Sequence, residues 1–269
     1  MRTVLLGTVA SLLSALTALV VIRAGESSLS PLWLLLAQYV VGLLMSPPRS
    51  WPSAPIRLHA IRLVSGLWAF GAYYFALARP GASAIELSMI LNAAPILVTF
   101  HVTRDYRARA GSLLAFLGVA LTLRPGLDGL PFSASHLLAA TAAVAYASSF
   151  VVLGALSASG ERATTTNGLY NASAGLVVLL IVLVIKPKLP GQIWPILAVG
   201  FMAALRIQVI TAAAISSRDS AIVSTLTNLS FFWLAVNDVV VGNTYDAVKW
   251  MGLALVATGM GLTPLRGTR

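Results

Sequence analysis

Only two charged residues, Glu86 and Arg206, lie well inside long apolar segments of this chain. A charge at the centre of a bilayer costs about 2.5–3.5 kcal/mol even on the lenient insertion scale, so such a residue faces a cavity or a partner. Arg206 keeps its charge under all conditions and forks onto a carboxylate or phosphate, which suits a fixed cation in a central cavity. The competing reading is a guanidinium satisfied by helix carbonyls or reaching toward the cytoplasmic interface. Glu86 reads either as a proton-coupling group or contact for a cationic substrate group, or as a hydrogen-bonded packing residue. At about 1.5 Å per residue, Glu86 lies roughly 9 Å and Arg206 about 21 Å below the outer edges of their segments, too far apart for an easy salt bridge.

Around these two, polar and aromatic residues recur at helical spacing. Ser220, Ser224 and Asn228 fall at i, i+4 and i+8, a stripe that lines a path or bonds to neighbouring helices. Trp68, Tyr73 and Tyr74, with Tyr146, Asn92, Gln38 and Tyr39, complete the substrate-binding candidates; Tyr170 and Trp51 read as interfacial anchors at segment ends. His59, His101 and His136 fall near segment ends and form no metal-ligand spacing. No nucleophile with its base, paired carboxylates or metal cluster is apparent, so neither an enzyme nor a cofactor is expected.

The elements that must position these groups are apolar. Of 269 residues, 58% are hydrophobic and 10% charged, against roughly 25% charged in a soluble domain. Ten apolar blocks of about membrane-crossing length run near 3–22, 31–46, 60–78, 81–101, 109–123, 135–155, 167–185, 192–214, 220–237 and 247–264. Continuous apolar runs exclude the alternation of a barrel, so the expected fold is an all-α polytopic membrane protein. Cysteine is absent, which removes disulfide and thiolate chemistry.

The net charge of +10 has no soluble surface on which to meet nucleic acid. It reads instead as orientation. With the amino terminus inside, eleven arginines (2, 49, 57, 62, 104, 107, 109, 162, 218, 266 and 269) fall on the inner side. Six basic residues fall outside, so the positive-inside rule favours two cytoplasmic termini. The first eighteen residues also resemble a cleavable signal peptide; retained, they are the first span.

The chain reads as doubled. Gly111, Gly118, Leu121 and Thr122 recur 141 residues later as Gly252, Gly259, Leu262 and Thr263, and Ser83-Ala84-Ile85 recurs 137 later as Ser220-Ala221-Ile222. Two repeats, 1–124 and 135–269, flank a loop at 125–134; with five spans each, the second enters the bilayer inverted, giving two inverted five-helix repeats. Glycines seven apart share a face and let helices pack closely.

Tyr74-Phe75-Ala76-Leu77, Asn92-Ala93-Ala94-Pro95-Ile96-Leu97, the Arg104-Asp105 loop and Gly111 to Thr122 resemble the drug/metabolite transporter superfamily, in particular its EamA-type members. The resemblance implies ten helices in two inverted repeats and export of amino acids, related metabolites or drugs. A proline usual in the fourth helix of each repeat is absent from the second, where Phe232 stands 137 residues beyond Pro95.

The expected function is a secondary transporter, an exporter or exchanger of a small polar or amphipathic metabolite such as an amino acid, or of drugs. With no nucleotide-binding loop, a coupling ion such as a proton or an exchange cycle drives it. The alternatives are an antiporter of phosphorylated substrates, of nucleotide-sugar or sugar-phosphate type, and a non-transporting membrane binding protein. Its setting is the lipid bilayer, with short loops that fit a bacterial inner membrane.

Overall fold

The computed structural model describes residues 2–48, 50–102, 106–123, 133–217, 229–242 and 244–262. Among them stand ten helices and no strand: α1 (Arg2–Glu26), α2 (Pro31–Met45), α3 (Ile56–Leu77), α4 (Ala84–Val102), α5 (Tyr106–Leu123), α6 (Ala134–Ala158), α7 (Ala163–Ile185), α8 (Trp194–Ser217), α9 (Ser230–Val240) and α10 (Ala247–Leu262). The all-helical expectation is met.

Ten full-length crossings are not. Five helices, over Leu5–Glu26, Ile56–Leu77, Ala134–Ala158, Ala163–Ile185 and Trp194–Ile215, are long and apolar enough to cross a membrane; the other apolar helices are shorter. The 15 residues of α2 rise only about 22 Å, against about 30 Å of hydrocarbon, because Ser46-Pro47-Pro48 stops the helix. At the start of α2, Ser30 accepts a hydrogen bond from the Leu32 N–H and Pro31 occupies the first turn. Ser133 and His136 close a reciprocal capping box on α6, and Lys186 ends α7 in the left-handed region.

Packing divides the bundle in two. One core joins α1, α2, α3, α6, α7 and α8 with part of α4; a second joins α4, α5, α9 and α10. Exchanging each of α1–α5 for its counterpart among α6–α10 carries the α1–α8 contact onto α6–α3, and α4–α6 onto α9–α1. At the α5–α10 crossing, Gly111 lies against Gly259 and Gly118 against Gly252, so exchange of the two helices turns one pair into the other. A Cβ on Gly118 would stand 2.5 Å from the Gly252 carbonyl oxygen. These glycines therefore permit backbone contact.

Outward faces are apolar. On α7, Leu176, Leu180, Leu183 and Val184 are all more than half exposed, a band that suits lipid better than water. Trp68 belongs to such a face, 55% exposed and in register with Ile61 and Val64, while His59, Arg62, Gly66, Phe70 and Tyr73 of the same helix turn inward.

Candidate functional site

The buried polar groups gather where helices from both halves meet. Arg206, at mid-length of α8, is 2% exposed. Its Nη1 donates to Ser14 Oγ of α1 at 3.3 Å, and its guanidinium carbon lies 4.7 Å from the centroid of the Phe70 ring of α3. Its Nε and Nη2 have no hydrogen-bond partner among the described residues. A cation–π contact helps a buried guanidinium but satisfies none of its N–H groups.

A second buried cation was not anticipated. Arg62, assigned by its position near the start of α3 to the inner rim, is 4% exposed. Its Nη2 donates to Thr211 Oγ1 at 2.9 Å and to Asn167 Oδ1 at 3.5 Å, its guanidinium carbon lies 4.9 Å from the Tyr170 ring centroid, and its Nε is unpartnered. The signal was in the sequence: Arg62 shares the spacing of Gly66, Ala69 and Tyr73 and so belongs to the small, inward face.

Aromatic rings surround the two cations. Tyr170 is buried rather than an interfacial anchor; its hydroxyl meets that of Tyr39 at 3.3 Å, and Phe70, Tyr146 and Phe150 form an edge-to-face ladder. Tyr74 donates to Gln38 Oε1 at 2.6 Å and Tyr73 pairs with Ser88 at 2.5 Å. Among the described residues the Gln38 amide nitrogen, the Thr166 hydroxyl and both amide atoms of Asn171 have no partner, so buried polar capacity is left over. A cavity of about 20 Å³, room for one water, lies between Arg62, Phe70, Tyr146 and Tyr170.

Not every expected residue joins this centre. Glu86 stands in the first turn of α4, because the turn carrying Gly81 delays the helix to Ala84; it meets His136 Nε2 at 3.4 Å and borders an outer cavity of about 440 Å³ with Asp238, Tyr245 and Lys249. Direct pairing of Glu86 with Arg206 is absent. Tyr245 donates to Asp238 at 2.8 Å, and burial together with that carboxylate pushes its hydroxyl well above the usual tyrosine range. Asn92 donates to Ser230 Oγ at 2.9 Å where α4 meets α9. Trp68 faces outward. Replacing it by alanine is expected to change stability by no more than about 0.5 kcal/mol, checked by thermal unfolding in detergent, because an exposed side chain away from special contacts has little to lose. Ser224 and Asn228 lie outside the described residues.

The opposite end is latched. Glu161, in the α6–α7 turn, accepts from the backbone N–H groups of Ser53 and Ala54 at 2.8 and 2.9 Å and of Arg162 at 3.1 Å, and His59 Nε2 stands 3.4 Å away. His59 is thus a buried partner, not a solvated edge residue. Ser46 donates to Gln208 Oε1 at 2.7 Å, as does Asn167 at 2.8 Å, and Ser50 pairs with Thr165 at 2.8 Å.

Burial pushes the Glu161 carboxyl up, but the N–H groups of Ala54, Arg162 and Ser53 and the His59 ring outweigh it and hold it below the ordinary value of 4.5. A depressed carboxylate stabilises the fold above its unfolded value and loses that contribution as pH falls through the folded one. Glu161→Gln is therefore expected to lower the unfolding midpoint at pH 7, by the loss of charged hydrogen bonds of about 1.5–3 kcal/mol. The difference from wild type should shrink as pH falls below 4.5, checked by thermal unfolding against pH.

Together these features define a class, an all-helical bundle with apolar outward faces and a buried cationic, aromatic centre. Among the described residues no cluster of three metal-ligating side chains occurs. No family model matches the chain, and no curated protein matches it. Among solved structures, 28 chains match; one, described only as a protein crystal structure, is 18% identical with a TM-score of 0.74 over 98% of this chain and 96% of its own. At that identity the likeness is one of fold, and it spans nearly the whole of both chains.

Proposed function

We propose that this protein is a secondary transporter of a small organic metabolite, built as two inverted five-helix repeats in a membrane and resembling the EamA-type drug/metabolite transporters. The observation that carries the reading is the centre itself: two guanidiniums and the unpartnered amide atoms of Gln38 and Asn171, enclosed by helices of both halves in a chain whose described outer faces are apolar. Burying such groups is costly unless something pairs with them in another state. The contacts that recur on exchange of the halves, α1–α8 with α6–α3 and α4–α6 with α9–α1, support a bistable frame, in which rocking one half against the other moves the latch at one end against the cavity at the other.

The drive is an ion gradient or exchange, the setting a bacterial inner membrane, and both termini are cytoplasmic on the arginine distribution. A phosphorylated-substrate antiporter gains from Arg62, since phosphate recognition calls for more than one cation. The test is counterflow in liposomes across a substrate panel. Accumulation of a labelled metabolite against its preloaded partner is the expected result; no flux of any substrate in either direction defeats the proposal.

A further inference from the structure

The described carboxylates, Glu26, Glu86, Glu161, Asp238 and Asp246, all stand at helix ends or in connecting segments. None reaches the two buried arginines. Two buried cations, with N–H groups left over on each, make a place where negative charge is missing among the described residues. Phe70, which lies under Arg206, follows Arg62 by eight residues, about 12 Å along α3, so the cations stand at two levels along that helix. The cavity that Arg62 borders is lined by aromatic and aliphatic side chains and by four hydroxyl-bearing residues, Tyr146, Ser149, Tyr170 and Thr211; these surfaces accept a carbon body and offer no acid to an amine.

We infer that Arg62 and Arg206 bind the acidic groups of an organic anion of net negative charge, a carboxylate or phosphate ester, whose apolar part lies against the aromatic ladder. The inference rests on the transport reading for the opening that admits the ligand, since the cavity of about 20 Å³ holds only water in this state. An acidic group supplies the acceptors that Arg206 Nε and Nη2 and Arg62 Nε lack, and the guanidinium fork takes a carboxylate or phosphate through two parallel bonds. A zwitterionic amino acid fits less well. Its ammonium would meet two cations and no carboxylate, because Glu86 is held at the outer end by His136.

The test is ligand-dependent thermal unfolding of the purified full chain at fixed ionic strength. The probes are phenylpyruvate, adipate and glycerol 3-phosphate, compared with phenylalanine and phenethylamine; the first three separate carboxylate from phosphate recognition. At least one anion is expected to raise the midpoint in a saturable manner. Arg62→Gln and Arg206→Gln should each weaken that anion tenfold or more, Arg206→Lys should recover part of the affinity, and the exposed Arg57→Gln should change nothing. The inference is overturned if no anion shifts the midpoint, if phenylalanine or phenethylamine shifts it more than every anion, or if the anion's shift persists in the double variant. Flux separates the two proposals. A zwitterion carried at the wild-type rate by the double variant removes the anion site and keeps transport, whereas anion binding without flux of any substrate keeps the site and removes transport.

Discussion

Gly118→Ala is expected to cost much of the folded protein, although it adds a single methyl group. Its Cβ would meet the Gly252 carbonyl at 2.5 Å and the Val256 backbone nitrogen at 2.7 Å, so the obstacle is backbone, which has no rotamer to turn away. The helices must separate. That loosens the glycine contacts on both sides of the crossing, since Gly111 and Gly259 meet along the same seam. Overpacking of this kind costs roughly 1–3 kcal/mol, and a rigid contact belongs at the upper end. Gly71→Ala is the control, because nothing lies within 4 Å of the Cβ it would gain and helix propensity favours alanine by about 0.5–1 kcal/mol. Monodisperse yield and the unfolding midpoint in detergent check both, with Gly118→Ala low and Gly71→Ala at or above wild type. Equal behaviour of the two would dissolve the argument that α5 and α10 meet through glycine.

Arg206→Met separates function from structure. A structural arginine contributes to stability, and its replacement lowers the midpoint. A buried cation with two unpartnered nitrogens stands at a cost to the resting fold, so an apolar side chain of comparable length there is expected to leave the midpoint unchanged or raise it. Flux should fall at least about thirtyfold, the equivalent of about 2 kcal/mol or more for losing one partner of a desolvated charge pair. Unfolding and liposome flux on the same preparation check it. A lower midpoint with flux unaffected would assign Arg206 to packing.

The helical class was legible because apolar blocks near twenty residues leave no other fold; the glycine register at 111, 118, 252 and 259 marks two helices for close packing, but that they pack against each other is visible only in the structure. Arg206 announced itself by depth. Depth along a helix says nothing of direction around it, and that is why Trp68 was taken for a lining residue while Arg62 and Tyr170 were taken for rim residues. The inward register of Gly66, Ala69, Phe70 and Tyr73 separates the two residues of α3, Arg62 inward and Trp68 outward, since small residues mark the packed side of that helix, whereas Tyr170 stands on α7 and has no such guide. Glu86 differs by three residues of boundary, as the turn at Gly81 places it in a half-buried first turn rather than at depth. The latch of Glu161 and His59 had no sequence signal: apart from the neighbouring Arg162 N–H, what holds Glu161 is the His59 ring and two backbone N–H groups, all more than 100 residues away, which no side-chain pattern reveals.

Alternating access requires a centre reached in turn from two faces, and the absence of cysteine from the chain makes that directly measurable. Ser149 lines the central cavity beside Arg62 and is 8% exposed. A Ser149→Cys variant, exposed to a membrane-impermeant thiol reagent in right-side-out and inside-out vesicles, is predicted to be labelled from both sides. Adding Glu161→Gln should quicken labelling from the latched side and slow it from the other. Labelling from one face alone, unchanged by release of the latch, would contradict alternating access.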